Sequence, residues 1–325
     1  MVRQNNGAEI YHLSYGNDQF VSQRGRSVDG NTWQLNGTPI NGRFTDIGYG
    51  QGHFWISGIY GVIWKSPDGR NWSREFSPTG KSLMDIYADD DITIIAGWDG
   101  SIVSRRPDGS WSATPTVDGK IVWKLEKFQG RYFGFTDSGH FVSEDGFAWT
   151  FLENAQRGTC SVASDKVMLV GRVDGLWRTT DGDTFSPTSI PGNWPLSLAY
   201  FRGTYYAFSN ANQLSTSQDG VSWTNQGKFF AAAGGQIVLA GSLAEAPAFS
   251  AGLPAINQVT NSLRVIDDRL VLSFGDNLGS VSTLDGRIWE FDETPYKAVV
   301  SNGEIVVAAA GDNRVAVRRA DEAVV

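Results

Sequence analysis

The chain has 325 residues, 41% of them hydrophobic, 19% charged and 12% aromatic, and a formal net charge of −8. That balance supplies a substantial core and excludes a phosphate-tracking nucleic-acid binder, which would carry a basic face. The single cysteine, Cys160, excludes an intrachain disulfide and a multi-cysteine metal site, and reads as a small buried side chain.

The amino terminus, "MVRQNNGAEI", lacks the basic-then-apolar order of a secretory leader, and no apolar run reaches the ~20 residues that span a bilayer. The expectation is a soluble protein without membrane insertion. Its compartment is left open, with an extracellular or virion-surface setting favoured over the cytoplasm. A short turn then recurs along the chain: "SVDGNTW", "SPDGRNW", "RPDGSW", "SEDGFAW", "TTDGDTF", "SQDGVSW" and "TLDGRIW", with Asp29, Asp68, Asp108, Asp145, Asp181, Asp219 and Asp285. The spacings are 39, 40, 37, 36, 38 and 66 residues, so the last gap spans two periods and predicts a degenerate unit where Ala251-Gly252 takes the Asp-Gly slot. A second degenerate unit, "VAVRRADEAV", surrounds Asp321.

Between the turns lie quartets of short alternating apolar runs, such as "MDIYADD", "ITIIAGW", "SIVSRRPDG" and "WSATPT". Such runs predict four strands per unit and no long helix. Four-stranded meanders repeating about every 40 residues predict an all-β fold, a β-propeller of four-stranded blades. Eight or nine repeat units are counted, seven clear and two degenerate, in one domain over residues 1–325. Residues 5–22 align with 301–317, which predicts that the terminal units share strands.

The recurrent turn has a physical reading. Between the third and outermost strands the chain must reverse sharply, so Gly supplies a positive φ, the Asp carboxylate accepts backbone N–H groups, and Ser or Thr adds a local hydrogen bond. The Trp then opens the outer strand and lies between adjacent sheets, where burial is worth ~2–3 kcal/mol.

On these residues the chain resembles the Asp-box, or BNR-repeat, β-propellers, a family that includes sialidases, sortilin-type receptors, photosystem assembly factors and phage-borne proteins. The box is shortened here, because Gly follows Asp directly where the sialidase box reads Ser-x-Asp-x-Gly-x-x-Trp. Family boxes are structural, so the resemblance implies a fold and no activity. A sialidase-like exo-glycosidase would need an Arg-Ile-Pro motif ahead of the first box, and the chain has none.

No catalytic residues, metal or cofactor are predicted. His12, His53 and His140 are isolated and read as hydrogen-bonded strand histidines. The turns between second and third strands, read as "GND" (16–18), "GWDG" (97–100), "TDSG" (136–139), "VDG" (173–175) and two "GDN" (275–277 and 311–313), carry Asp in six of nine units. A carboxylate ring could hold a cation, but hairpins demand Asp, Asn and Gly in any case.

In the resembling propellers those turns open on the ligand-binding face, opposite the boxes. Trp98, Tyr60 and Trp194 are the aromatic candidates there, with Asp99, Asp174 and Asp276 as polar ones. The aromatics do not stand at matching places in the repeat, which argues for a single site. The expected role is a non-catalytic recognition or scaffold module for a glycan or protein partner. Alternatives are a structural or receptor-binding part of a phage tail or bacterial surface assembly, and the exo-glycosidase.

Overall fold

The computed structural model describes residues 2–3, 12–38, 40–153, 155–191, 194–231, 237–240, 262–266, 269–273, 280–284, 290–292, 298–309 and 314–319. Runs that alternate apolar and polar residues bury one face of a sheet and fold as strands. Among the described residues they form eight antiparallel sheets, seven of four strands and one of five. Each is a meander, and the sheets are the blades of a β-propeller.

The chain divides into two compact units, Met1–Gly158 with Lys297–Asp321, and Thr159–Tyr296 with Glu322–Val325. The first unit contains blade 1 (Leu13–Gly16, Gln19–Ser22, Gly25–Ser27, Gln34–Leu35) and blade 2 (Phe44–Gly50, His53–Gly58, Ile63–Ser66, Ser73–Arg74). Blade 3 (Leu83–Ala88, Thr93–Gly97, Ile102–Arg105, Trp111–Ala113) and blade 4 (Lys124–Phe128, Arg131–Phe135, Gly139–Ser143, Thr150–Glu153) follow. Blade 8 (Ala298–Ser301, Ile305–Ala309, Arg314–Arg319) belongs to the same unit and takes its outer strand from the other end of the chain, with Val2 opposite Val315 and Arg3 opposite Arg314. The two termini therefore share one blade.

The second unit contains blade 5 (Cys160–Ala163, Met168–Arg172, Gly175–Thr179, Ser186–Thr188) and blade 7 (Ser262–Ile266, Arg269–Ser273, Ser280–Thr283, Glu290–Asp292). Blade 6 (Pro195–Phe201, Thr204–Ser209, Gln213–Ser217, Thr224–Ala231) carries a fifth strand, Ile237–Ala240. The eight sheets stand within the eight or nine units expected from the sequence; among the described residues the long interval contributes an added strand, and Ala251, Asp285 and Asp321 lie outside those residues. One sequence expectation changes here. The turn at 16–18 joins the first and second strands of blade 1, at the box end, because a Gly-Asn-Asp hairpin suits either end of a meander.

The boxes of blades 1, 2, 4, 5 and 6 share one geometry. In each, one Asp oxygen accepts the N–H groups two and three residues on, at 2.7–2.9 Å. A Ser or Thr hydroxyl two residues earlier donates to the same oxygen at 2.9–3.1 Å. The N–H groups of Ser222 and Val221 hold the Asp219 carboxyl down to about 2. Blade 3 departs: Arg106 stands where the hydroxyl residue belongs, Asp108 binds only Ser110, and Trp111 arrives one residue early to meet Trp55 edge-on at 5.5 Å.

The box glycine does more than turn the chain. Gly69 has a φ of +67°, and a Cβ there would fall on Val21 of the preceding blade. Gly30 stands against Val307 of blade 8 in the same way. Packing follows this stitching. Val21 joins Ile47, Phe54, Ile56 and Trp72 in one apolar cluster across blades 1 and 2, and Leu169, Leu176, Leu198 and Ala207 belong to another across blades 5 and 6. The Trp72 indole also donates to Asn36 of the preceding connection at 3.3 Å and is only 4% exposed.

Deleting that indole leaves a cavity at the seam, so Trp72→Ala should destabilise the protein by about 3–5 kcal/mol. Equal urea midpoints for variant and parent would contradict the seam.

Candidate functional site

Because every blade is a meander, the turns between second and third strands and the connections between blades share one end, opposite the boxes. In the first unit this end carries a distinctive set of side chains. Tyr60 is 76% exposed, Phe76 77%, Trp98 48% and Trp123 39%. No other aromatic among the described residues is as exposed, and the large hydrophobic residues exposed elsewhere are all aliphatic. The four stand on connections of blades 2, 3 and 4, whereas exposed aromatics ordinarily scatter singly.

The turns that present them are related. Ile59-Tyr60-Gly61 and Trp98-Asp99-Gly100 join second to third strands in successive blades, and Tyr60 (φ 59°) occupies the place of Asp99 (φ 54°). Both turns are anchored to Ser82, whose hydroxyl accepts the Tyr60 N–H at 3.4 Å and whose carbonyl accepts the Trp98 N–H at 2.8 Å. Tyr60 and Trp98 thus belong to equivalent turns but stand one position apart in them. Asp tolerates the left-handed region through local hydrogen bonding, while a bulky Tyr there is strained by ~1–3 kcal/mol.

Asp99 is engaged in holding this surface. It pairs with Lys81 at 2.6 Å and accepts the Gly119 N–H at 3.1 Å, and the same two groups hold its carboxyl below the ordinary range. Its carbonyl accepts the Val117 N–H at 2.9 Å, which folds the 117–119 connection against the Trp98 turn. Trp123 immediately precedes the inner strand of blade 4, its N–H bonded to the Phe135 carbonyl at 2.9 Å.

Beneath the same end runs a line of charge along the inner strands. Asp46 and Asp85 sit at register bulges one blade apart, and each accepts the N–H of the residue 40 positions on: Ile86 at 3.0 Å and Leu125 at 2.7 Å. Lys124 lies 3.2 Å from both oxygens of Asp85, and His12 lies 3.9 Å from Asp46. Burial, then the neighbouring Asp85 charge, pushes the Asp46 carboxyl up to about 7 against the pull of the Ile86 and Ile47 N–H groups and Lys124. In the second unit Ser197 performs the same clasp on the Leu263 N–H at 3.0 Å, without a charge.

The remaining candidates are dispersed. Trp194 and Asp174 belong to the second unit: Trp194 is half-buried with its carbonyl bonded to Asn210, and Asp174 is exposed 3.6 Å from the Arg172 guanidinium. Asp276 lies outside the described residues. Ring nitrogens of His53 and His140 meet the carbonyls of Gln51 and Gln156 at 2.8 Å, and burial pushes the Cys160 thiol up to about 12. Among the described residues no cluster of His, Cys, Asp and Glu suits a metal ion, and no helix is long and apolar enough to cross a membrane. Phe76 and Trp123 were not singled out by sequence reasoning, and only their place at the ends of inferred strands hinted at them.

Among solved structures the chain is similar to the computationally designed Ika8 protein, with a TM-score of 0.72, 12% identity and 98% of each chain covered. It is similar to Saccharomyces cerevisiae Sqt1 at a TM-score of 0.69, 10% identity and 98% of each chain. YCF48 bound to D1 peptide aligns with a TM-score of 0.58 and 13% identity over 92% of this chain and 98% of that one. At these identities the likeness is one of fold. No family model and no curated protein matches the chain.

The raised Asp46 carboxyl has a consequence for stability. Its folded value exceeds the unfolded 3.8, so the native state keeps a proton that the unfolded chain has released, and stability falls as pH climbs from 3.8 toward about 7. Asp46→Asn should flatten that fall in urea-midpoint profiles. Parallel profiles for variant and parent would contradict the assignment.

Proposed function

We propose that the protein is a non-catalytic recognition module that holds a peptide segment of a partner protein across Tyr60, Trp98 and their neighbours. The carrying observation is that all four strongly exposed aromatics among the described residues share one end of three successive blades. Aromatic side chains supply large contact areas at low entropic cost and dominate binding energy at interfaces.

The Tyr60 backbone supports this reading. A strained, exposed aromatic where Asp stands in the next blade gains nothing for folding and presents a ring to solvent. The YCF48 propeller, similar in fold, was solved with a D1 peptide. An exo-glycosidase is less well supported. Retaining chemistry needs a free acid beside a free nucleophile, whereas both Asp46 oxygens accept backbone N–H groups and Asp85 is held by Lys124. A glycan ligand is the competing recognition reading.

Selecting peptides from a displayed random library on the purified protein, with a glycan array alongside, separates the two. Selected peptides should bind about tenfold more weakly to Trp98→Ala and to Tyr60→Asn, a loss of ~1.4 kcal/mol each. Tyr60→Asn should also raise stability by ~0.5–1 kcal/mol as the left-handed strain is relieved. Peptides indifferent to both substitutions, or a glycan hit lost in Trp98→Ala, would overturn the peptide reading.

A further inference from the structure

The end that carries the aromatics also holds a cavity of about 650 Å³ in the first unit, lined among the described residues by His12, Gln23, Arg24, Asn41, Arg43 and Phe44 with Ile40 and Gly42. Its volume is that of a small-ligand or side-chain pocket. Its charge runs against the rest of the molecule. The chain has 35 acidic and 27 basic residues, yet no carboxylate is among these lining residues while two guanidiniums and an imidazole are. Arg24 and Arg43 are exposed, and neither has an acidic partner within ion-pair distance among the described residues.

Both arginines are presented by fixed backbone. Gln23-Arg24 is the turn between second and third strands of blade 1, where the Ser22 hydroxyl accepts the Arg24 N–H at 3.1 Å and the Arg24 carbonyl accepts the Asn36 N–H at 3.1 Å. Arg43 enters the inner strand of blade 2, and its carbonyl accepts the Ile59 N–H at 3.0 Å. Through that bond Arg43 adjoins the turn bearing Tyr60, so the pocket and the aromatic surface are neighbours. The carboxylate nearest His12 among the described residues is Asp46 at 3.9 Å, which is not among the lining residues, and burial pushes its carboxyl up.

Guanidinium forks bind planar oxyanions through paired charge-assisted hydrogen bonds, and a concave site focuses the field. Phe44 and Ile40 add an apolar flank for the carbon chain that bears such a group. From these observations we infer that the Arg24–Arg43 pocket is an oxyanion subsite, which takes the carboxylate or phosphate of a segment lying over Tyr60 and Trp98. The oxyanion chemistry stands on the pocket alone; only the identity of the bearer rests on the peptide reading above.

The test uses two small probes, N-acetyl-aspartate and inorganic phosphate, titrated into the full chain while arginine side-chain resonances are followed. Saturable binding is expected in the range of about 1–10 mM, and the tighter probe names the oxyanion source. In Arg24→Gln and Arg43→Gln the probe should bind about tenfold more weakly, since each charge-assisted pair is lost. Both side chains are exposed and the structural bonds are made by backbone, so folding should be unaffected, which thermal unfolding verifies. Trp98→Ala should bind the probes as the parent does, which keeps failure of this subsite distinct from failure of the aromatic surface. Absence of saturable binding, or binding equal in parent and both arginine variants, would overturn the inference.

Discussion

One carboxylate oxygen gathering two N–H groups and a hydroxyl is the interaction on which the blades depend. In five boxes the Asp fixes the turn to within 0.2 Å of one geometry, and the turn carries a left-handed glycine followed by an aromatic residue, Trp in four boxes and Phe185 in blade 5. A four-stranded sheet cannot bury both its faces, so its stability lies in the contact with its neighbour. Gly69 against Val21 and Trp72 against the cluster of Ile47, Phe54 and Ile56 are one such contact. Where the box erodes, as in blade 3, the tryptophan is still retained at the seam through Trp55.

Fastening at the box end leaves the opposite end less constrained by folding. There the first unit places a positive-φ tyrosine, three further exposed aromatics and two exposed arginines. Charged clasps at the inner strands, Asp46 to Ile86 and Asp85 to Leu125, set the starts of those strands and so the height at which the turns emerge. The box fastenings and the exposed aromatic and arginine side chains thus occupy different ends of the same blades.

Much of this was legible in the chain. The box is local chemistry: Ser or Thr, Asp, Gly and Trp or Phe within seven residues specify a turn whatever surrounds it, so positions 29, 68, 145, 181 and 219 could be read directly. Strand count per blade followed from alternation. The eight sheets fall within the eight or nine units that the spacing predicts, while the turn at 16–18 belongs to the other end of its blade because one hairpin composition serves both ends of a meander. The site was less readable. Whether an aromatic fills a seam, as Trp72 does, or faces water, as Phe76 and Trp123 do, depends on the neighbouring blade and not on adjacent residues. Arg24 and Arg43 line one cavity from two blades, and no spacing rule connects them.

The box glycine is fitted to the side chain of the preceding blade, as Gly69 is to Val21. A double-mutant cycle in urea with Gly69→Ala and Val21→Ala measures that fit. The added methyl would fall on a Val21 methyl in the parent, whereas in Val21→Ala only the Cβ at 3.3 Å remains, so the cost of Gly69→Ala should be smaller in the Val21→Ala background by about 1 kcal/mol or more. Additivity of the two substitutions within ~0.3–0.5 kcal/mol would contradict the account.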